Sequence, residues 1–296
     1  YRVARDWQSL SMSEDGQRII AGVSPGWLYQ SFDKGETFGV QQTNRQPFQV
    51  TMDAFGERQM LVSSGREIYT SNSFGNIWEA DGPSAVWSDI STALSVNSSI
   101  AVTSYGLLYV KNDESGWIVS GPTPQKESRQ WVACAISHDG VYRLAAVENG
   151  TLYISKILDD NEWIDSGAGS HDWSSCCING DGSSMAATDF GGFIYTSSDY
   201  GVTWVARGEE RNWISITVDA SYQYIAADFG GFLYHAMIQD LDVWNAVTSE
   251  PRKWQDVSIS GYGGNDVSAV ALGDFIYIAN LDLPTSVNFE PRGPSK

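Results

Sequence analysis

The stretch from Trp173 to Trp204 reads WSSCCINGDGSSMAATDFGGFIYTSSDYGVTW, four strand-sized segments separated by turn signals. Trp173 to Ile178 is a short apolar run suited to a buried strand, and Asp181-Gly182 is a hairpin pair that tolerates positive φ. A second strand follows at Met185-Ala186-Ala187, and Asp189-Phe190-Gly191-Gly192 reads as a loop. A third strand covers Phe193 to Ser197, Asp199-Tyr200-Gly201 is a turn, and a fourth strand starts around Val202-Thr203-Trp204. Nothing in the stretch has helical periodicity.

The same plan recurs along the chain. Gly followed three or four residues later by an aliphatic-Tyr pair ends at Tyr29, Tyr69, Tyr109, Tyr153, Tyr195, Tyr234 and Tyr277, in steps of about 40 residues. An aromatic residue opens each unit in the same register, at Trp7, Phe48, Trp87, Trp131, Trp173, Trp213 and Trp254. Two independent markers with one period, filled with short strands, predict an all-β chain forming a single seven-bladed β-propeller of four-stranded antiparallel blades. The ring is expected to span residues 1–296, with units starting near 7, 48, 87, 131, 173, 213 and 254. A closed ring cannot be divided without exposing strand edges, so no linker is expected. Both marker sets should pack between neighbouring sheets. In the last unit Ser286 to Glu290 is the favoured fourth strand, with Tyr1 to Ala4 as the competitor.

Charge narrows the partners. With 18 Lys and Arg against 36 Asp and Glu, the net charge is -18, so the chain lacks the basic footprint needed for nucleic acid or an anionic membrane surface. No apolar run approaches the roughly 18 residues that would read as a membrane span. A first residue of Tyr1 rather than Met fits a processed or trimmed chain. Cys134 and Cys176 stand where other units have Leu10, Ile90, Ile216 and Val257, and Cys177 one position on, so all three read as small buried fillers. His138, His171 and His235 are scattered over three units without metal-ligand spacing. No metal and no cofactor are expected.

The turn before the fourth strand carries a signature. Ser197-Ser-Asp199-Tyr-Gly201-Val-Thr203-Trp204 is matched by Ser31-Phe-Asp33-Lys-Gly35-Glu-Thr37-Phe38, and by Ser71-Asn-Ser73-Phe-Gly75-Asn-Ile77-Trp78 with Ser for Asp. The pattern resembles the Asp-box, or BNR, repeat, which occurs in sialidases, xyloglucanases, sortilin-type receptors and photosystem II assembly factors. Its residues are expected to be structural: Ser and Asp oxygens accept backbone N–H bonds in the turn, and Gly supplies positive φ. Resemblance to a sialidase would imply an Arg triad, a Tyr nucleophile helped by Glu, and an acid Asp. The Arg-Ile-Pro motif of such a first blade is absent. A xyloglucanase-like enzyme would pair two propellers, and photosystem II assembly factors usually have Leu where all seven Gly-x-aliphatic-Tyr motifs here have Tyr.

Strand alternation puts these turns on one face and the inter-blade connections, with the Asp-Phe-Gly-Gly loops, on the other, top face. There Arg-x-Trp recurs at Arg5, Arg129, Arg211 and Arg252, with His171 in the equivalent place and Arg45 in a shifted variant. A cationic rim at the channel mouth would take carboxylate, sulfate or an acidic or anionic glycan, with Phe190, Phe229 and Tyr105 as apolar platforms. Asp189 and Asp228 share that face, as does Glu148, so ion pairing within the scaffold is the competing use. Asp189 and Asp228 occupy equivalent positions in two repeats, which suits a scaffold better than one catalytic centre. The reading is a non-catalytic, extracellular or organelle-luminal propeller that binds or assembles with protein partners. A glycan-binding propeller, a glycoside hydrolase and a photosystem II assembly factor-like protein are the alternatives. Asn97-Ser-Ser99 and Asn149-Gly-Thr151 are glycosylation sequons consistent with secretion.

Overall fold

The computed structural model describes residues 4–41, 46–63, 66–112, 116–122, 128–157, 162–219, 223–261, 266–281 and 289–294. Within them an innermost strand starts at or beside each marker: Arg5–Met12, Pro47–Met52, Trp87–Thr92, Trp131–Ile136, Trp173–Ile178, the later part of Val205–Val218, and Trp254–Ile259. Each feeds an antiparallel ladder, and the described strands pair into seven successive four-stranded units. The innermost strands touch one another in chain order around an axis, and the last touches the first. The architecture is a seven-bladed β-propeller. Among the described residues there is no α-helix, only a 3₁₀ turn at Ile238–Asp240.

Packing explains the composition. The second strands, such as Ile19–Val23, Gln59–Ser63 and Ser99–Thr103, are buried along their whole length because a neighbouring blade covers each face. They therefore read as continuous runs of apolar and small residues rather than alternating ones. Ala145-Ala146, Ala186-Ala187 and Ala226-Ala227 are fully enclosed at the closest approaches.

The two sequence markers meet in space. The opening Trp lies edge-on to the motif Tyr of its own blade, from 5.2 Å between centroids at Trp173 and Tyr195 to 5.8 Å at Trp131 and Tyr153. The same contact joins Trp7 to Tyr29, Trp87 to Tyr109, Trp213 to Tyr234 and Trp254 to Tyr277. Blade 2 departs from the expectation. Pro47, opposite Ser63, takes the register position that Trp7 holds opposite Val23, so Phe48 falls on the other side of the strand and projects toward the axis, 37% exposed.

Three levels of contact seal the joints between blades. At the top, indole N–H groups donate to carbonyls of the preceding blade: Trp87 to Arg66 at 3.1 Å, Trp173 to Gly150 at 2.8 Å and Trp254 to Gly231 at 3.2 Å. At mid-height, a side-chain oxygen two residues after the marker accepts an N–H from the next innermost strand. Ser9 accepts from Val50, Asp89 from Cys134, Ser175 from Ile216 and Ser215 from Val257. At the bottom, the residue before the turn glycine has positive φ and reaches the preceding blade. Phe74 (φ 55°) lies under Arg18 at 4.3 Å, and Tyr200 (φ 62°) stacks on Tyr142 at 5.1 Å.

The Ser-x-Asp-x-Gly turns are built to make that reach. Ser197 donates to Asp199 and accepts from Gly201 N–H, while Asp199 accepts from the Thr203 amide and hydroxyl. Ser31, Asp33 and Gly35 repeat this bonding, Ser71 accepts from Gly75 N–H, and Trp204 donates its indole N–H to Gly201. Bonds from Thr203 hold the Asp199 carboxyl below the usual carboxylate range. The positive φ of 78° at Gly35 and Gly75 would strain any L side chain there.

The ring closes without a covalent link, and the C-terminal segment supplies the last outer strand. It does so over Glu290–Arg292, paired with Ile276–Asn280, slightly beyond the expected span. Residues 286–288 and Tyr1 to Val3 lie outside the described residues. The Asp189-Phe190-Gly191-Gly192 loop is a second departure. It is part of one continuous strand, Met185–Ser197, because Phe190 and Gly192 pair with Asn212 and Arg211 of the next connection.

These positions separate marker from packing residue. Trp254→Ala, which empties a fully buried site, is expected to cost about 3 to 5 kcal/mol. Phe48→Ala should change stability by no more than about 0.5 kcal/mol. Chemical denaturation of the two variants checks both.

Candidate functional site

The top face holds two concentric sets of side chains. The outer set contains the repeated cations. Arg5 lies over Tyr29 at 4.8 Å, Arg129 over Tyr153 at 5.1 Å, Arg211 over Tyr234 at 4.6 Å and Arg252 over Tyr277 at 4.4 Å. The His171 ring sits 4.4 Å from that of Tyr195. The Arg-x-Trp spacing sets this up, since the Trp and the residue two before it both face the third-strand Tyr. Backbone pairing of Arg129 with Gly106, His171 with Gly150 and Arg211 with Gly192 fixes the connection.

At Arg252, His171 and Arg211 a carboxylate completes the stack. Arg252 bonds Asp274 at 2.7 Å, His171 contacts Asp189 at 3.0 Å and Arg211 approaches Asp228 at 3.8 Å. Burial, with the nearby Asp189 charge, pushes the Tyr195 hydroxyl above its ordinary value, and burial together with Asp274 does the same to Tyr277. Burial also raises Asp228 against the opposing pull of Arg211. These tyrosines are covered and held neutral over the ordinary pH range. Phe190 is 41% exposed beside this set, whereas Phe229 is half-buried with its backbone bridged to Lys253. Arg45 lies outside the described residues.

The inner set lines the axis. Arg5, Arg129, Arg211 and Arg252 do not line it: each lies against the Tyr of a third strand, two strands out from the channel. The upper cavity, about 480 Å³, is lined by Phe48, Tyr105 and Val132 together with Gln8, Gln49, Gln255 and Glu148. Tyr105 is 77% exposed. Sequence reasoning had placed Tyr105 and Glu148 on this face but missed the three glutamines and Phe48. Strand alternation would have found Gln8, Phe48 and Gln255, which occupy the one innermost-strand position per blade that faces the axis at the top; Gln49 stands one residue further on.

Below lies a second cavity of about 250 Å³, where Asp89 and Asp256 stand among serines and the buried thiols Cys134 and Cys176. All three cysteines are free and buried, and burial pushes their thiols up. Burial lifts Asp89 to about 7, against N–H bonds from Cys134 and Ile90, and the Asp256 charge adds to the rise. Asp256 is raised by burial as well. Among the described residues no three His, Cys, Asp or Glu side chains come together as a metal-ligand set.

Comparison with known proteins bears on the fold. No protein-family model matches the chain, and no curated protein sequence matches it. Among solved structures, YCF48 from Cyanidioschyzon merolae is similar with a TM-score of 0.70 and 15% identity, covering 93% of this chain and 95% of that one. The β-propeller domain of Cps50 (Swd1) from Myceliophteria thermophila is similar with a TM-score of 0.73 and 11% identity, covering 91% and 95%. At these identities the likeness is one of fold, and the class it defines is the β-propeller.

Asp89 makes a pH test. Its folded value of about 7 stands above the ordinary 3.8, so the folded chain holds the proton across that window while the unfolded chain releases it. Stability is therefore expected to fall as pH rises from about 4 to about 7, with Asp256 contributing in the same sense. Asp89→Asn cannot ionise, and its melting temperature should decline less over that interval. Parallel melts of the two proteins at stepped pH check the sign.

Proposed function

We propose that this chain is a non-catalytic binding or assembly propeller, presenting a rigid ring to a protein partner in an extracellular or organelle-luminal compartment. The observation that carries the reading is the way the repeated polar groups of the top face are used. His171 with Asp189, Arg211 with Asp228 and Arg252 with Asp274 each meet a carboxylate near the end of their own blade's second strand and cover its motif Tyr. A set repeated from blade to blade and paired internally serves the scaffold, and leaves partner recognition to the loops that differ between blades. The luminal or extracellular setting is one in which Asn149, exposed in its turn, would be open to glycosylation. Among the described residues no helix is long and apolar enough to cross a membrane.

The arginine pair distinguishes scaffold from anion-binding rim. In Arg211→Ala with Arg252→Ala the loss of stacking on tyrosine should cost about 0.5 to 1 kcal/mol per site. Thermal melting should drop while affinity for a co-purifying partner, measured by biolayer interferometry, stays unchanged. Weaker partner binding, most marked at low salt, would assign the rim to an anionic partner instead. Hydrolysis of a glycoside by the purified chain, abolished by Asp189→Asn or Asp228→Asn, would overturn the non-catalytic reading.

A further inference from the structure

We propose that the upper axial cavity is a binding site for a short neutral saccharide. At about 480 Å³ the cavity falls within the range of small-ligand sites, roughly 300 to 1,000 Å³. Its lining has the two kinds of surface that a sugar ring needs. Tyr105, 77% exposed, and Phe48, 37% exposed, come from adjacent blades and offer aromatic faces to the apolar C–H side of a pyranose. Gln255 and Gln8 join them from the last and first blades, and Gln49 follows Phe48 on the second. A glutamine amide both donates and accepts, as a sugar hydroxyl does.

Two of these amides are unused by the fold. Ser88 and Ser174 in the same lining bond to backbone carbonyls. Among the described residues the side chains of Gln49 and Gln255 make no hydrogen bond to the protein. Neither amide is needed to hold the strand it sits on, since the ladder and the mid-height bonds do that. An amide retained on a channel wall without a protein partner is free to meet a ligand, displacing water at little cost.

Charge selects among polar ligands. Among the described residues the lining contains no Arg, Lys or His, and Glu148 is its single carboxylate. The net charge of -18 also opposes the approach of anions. The arginines that would hold a sialic acid or uronic acid carboxylate lie farther out, stacked on tyrosines. A neutral sugar is not opposed by this field, and Glu148 can accept from one of its hydroxyls. The inference does not rest on the assembly reading, because a saccharide in the mouth and a protein on the surrounding loops use different residues.

The test uses the full chain and a panel of cellobiose, maltotriose, lactose and chitobiose, with glucuronic acid, N-acetylneuraminic acid and choline as charged comparators. Saturation-transfer NMR identifies a ligand and calorimetry measures its affinity. At least one neutral saccharide is expected to bind. Tyr105→Ala and Gln255→Leu should each weaken it by about tenfold, while Arg252→Ala leaves it unchanged. Tyr105 is mostly exposed, so its loss does not threaten folding. Failure of every neutral saccharide to bind, preference for an acidic sugar or choline, or binding that survives both Tyr105→Ala and Gln255→Leu would overturn the proposal.

Discussion

A ring of seven repeats stands or falls on the one joint that the chain does not cross, between the last blade and the first. All the other joints are held partly by covalent connection, and here only packing and polar contacts remain. The three levels that seal the other joints are all present at this one. Trp7 donates its indole N–H to the Asp274 carbonyl at 3.0 Å, Asp256 accepts the Leu10 N–H at 3.0 Å, and Lys34 of the first bottom turn pairs with Asp266 at 3.1 Å. Backbone pairing of Arg5 with Asp274 and of Asp6 with Leu272 adds a short ladder at the same edge. The closing joint is thus the same device as the rest, with a carboxylate at mid-height, as Asp89 provides between the third and fourth blades, and an ion pair at the bottom.

That constraint accounts for a cost inside the channel. A carboxylate accepts an N–H bond more strongly than a hydroxyl, but a buried one must be desolvated. Asp256 bonds Leu10 across the joint, bonds its own neighbour Val257 and receives the Ser215 hydroxyl. Asp89 does the corresponding work between the third and fourth blades. The raised values of both acids are the signature of that burial. They need no catalytic explanation, because each oxygen is already occupied by a structural donor.

The repeat was legible because its markers touch. Trp and Tyr recur in one register because each pair forms a contact within a blade, and a contact repeated at a fixed spacing leaves a periodic trace in the sequence. Phe48 was misread for the same reason. It has the right chemistry at nearly the right place, but the register depends on Pro47, and a slip of one residue moves a side chain from the blade interior to the channel. The glycines of the Asp189-Phe190-Gly191-Gly192 segment suggest a loop, while its pairing with Arg211 and Asn212 depends on a connection about twenty residues away. The Arg-x-Trp spacing sets the arginines beside the blade aromatics, yet the distance of Arg5, Arg129, Arg211 and Arg252 from the axis is decided by the Tyr rings they cover, which no spacing within the motif reveals.

A repeated scaffold can bind a small ligand on its axis only by breaking its own symmetry there. At the bonding position two residues after the marker, five blades have Ser or Asp, because the joint chemistry is the same all round. One residue nearer the marker, no such bond is required, and the blades diverge into Gln8, Phe48, Ser88, Val132, Ser174, Ile214 and Gln255. The divergence is ordered, with the amides of Gln255 and Gln8 on adjacent blades, a phenyl ring on the next, and small or aliphatic residues elsewhere. Strand alternation turns this one position of each blade into the lining of a single cavity. The part of the sequence that carries the least repeat signal is therefore the part that makes the mouth asymmetric, and the proposed saccharide site draws on that asymmetry rather than on the periodic arginines.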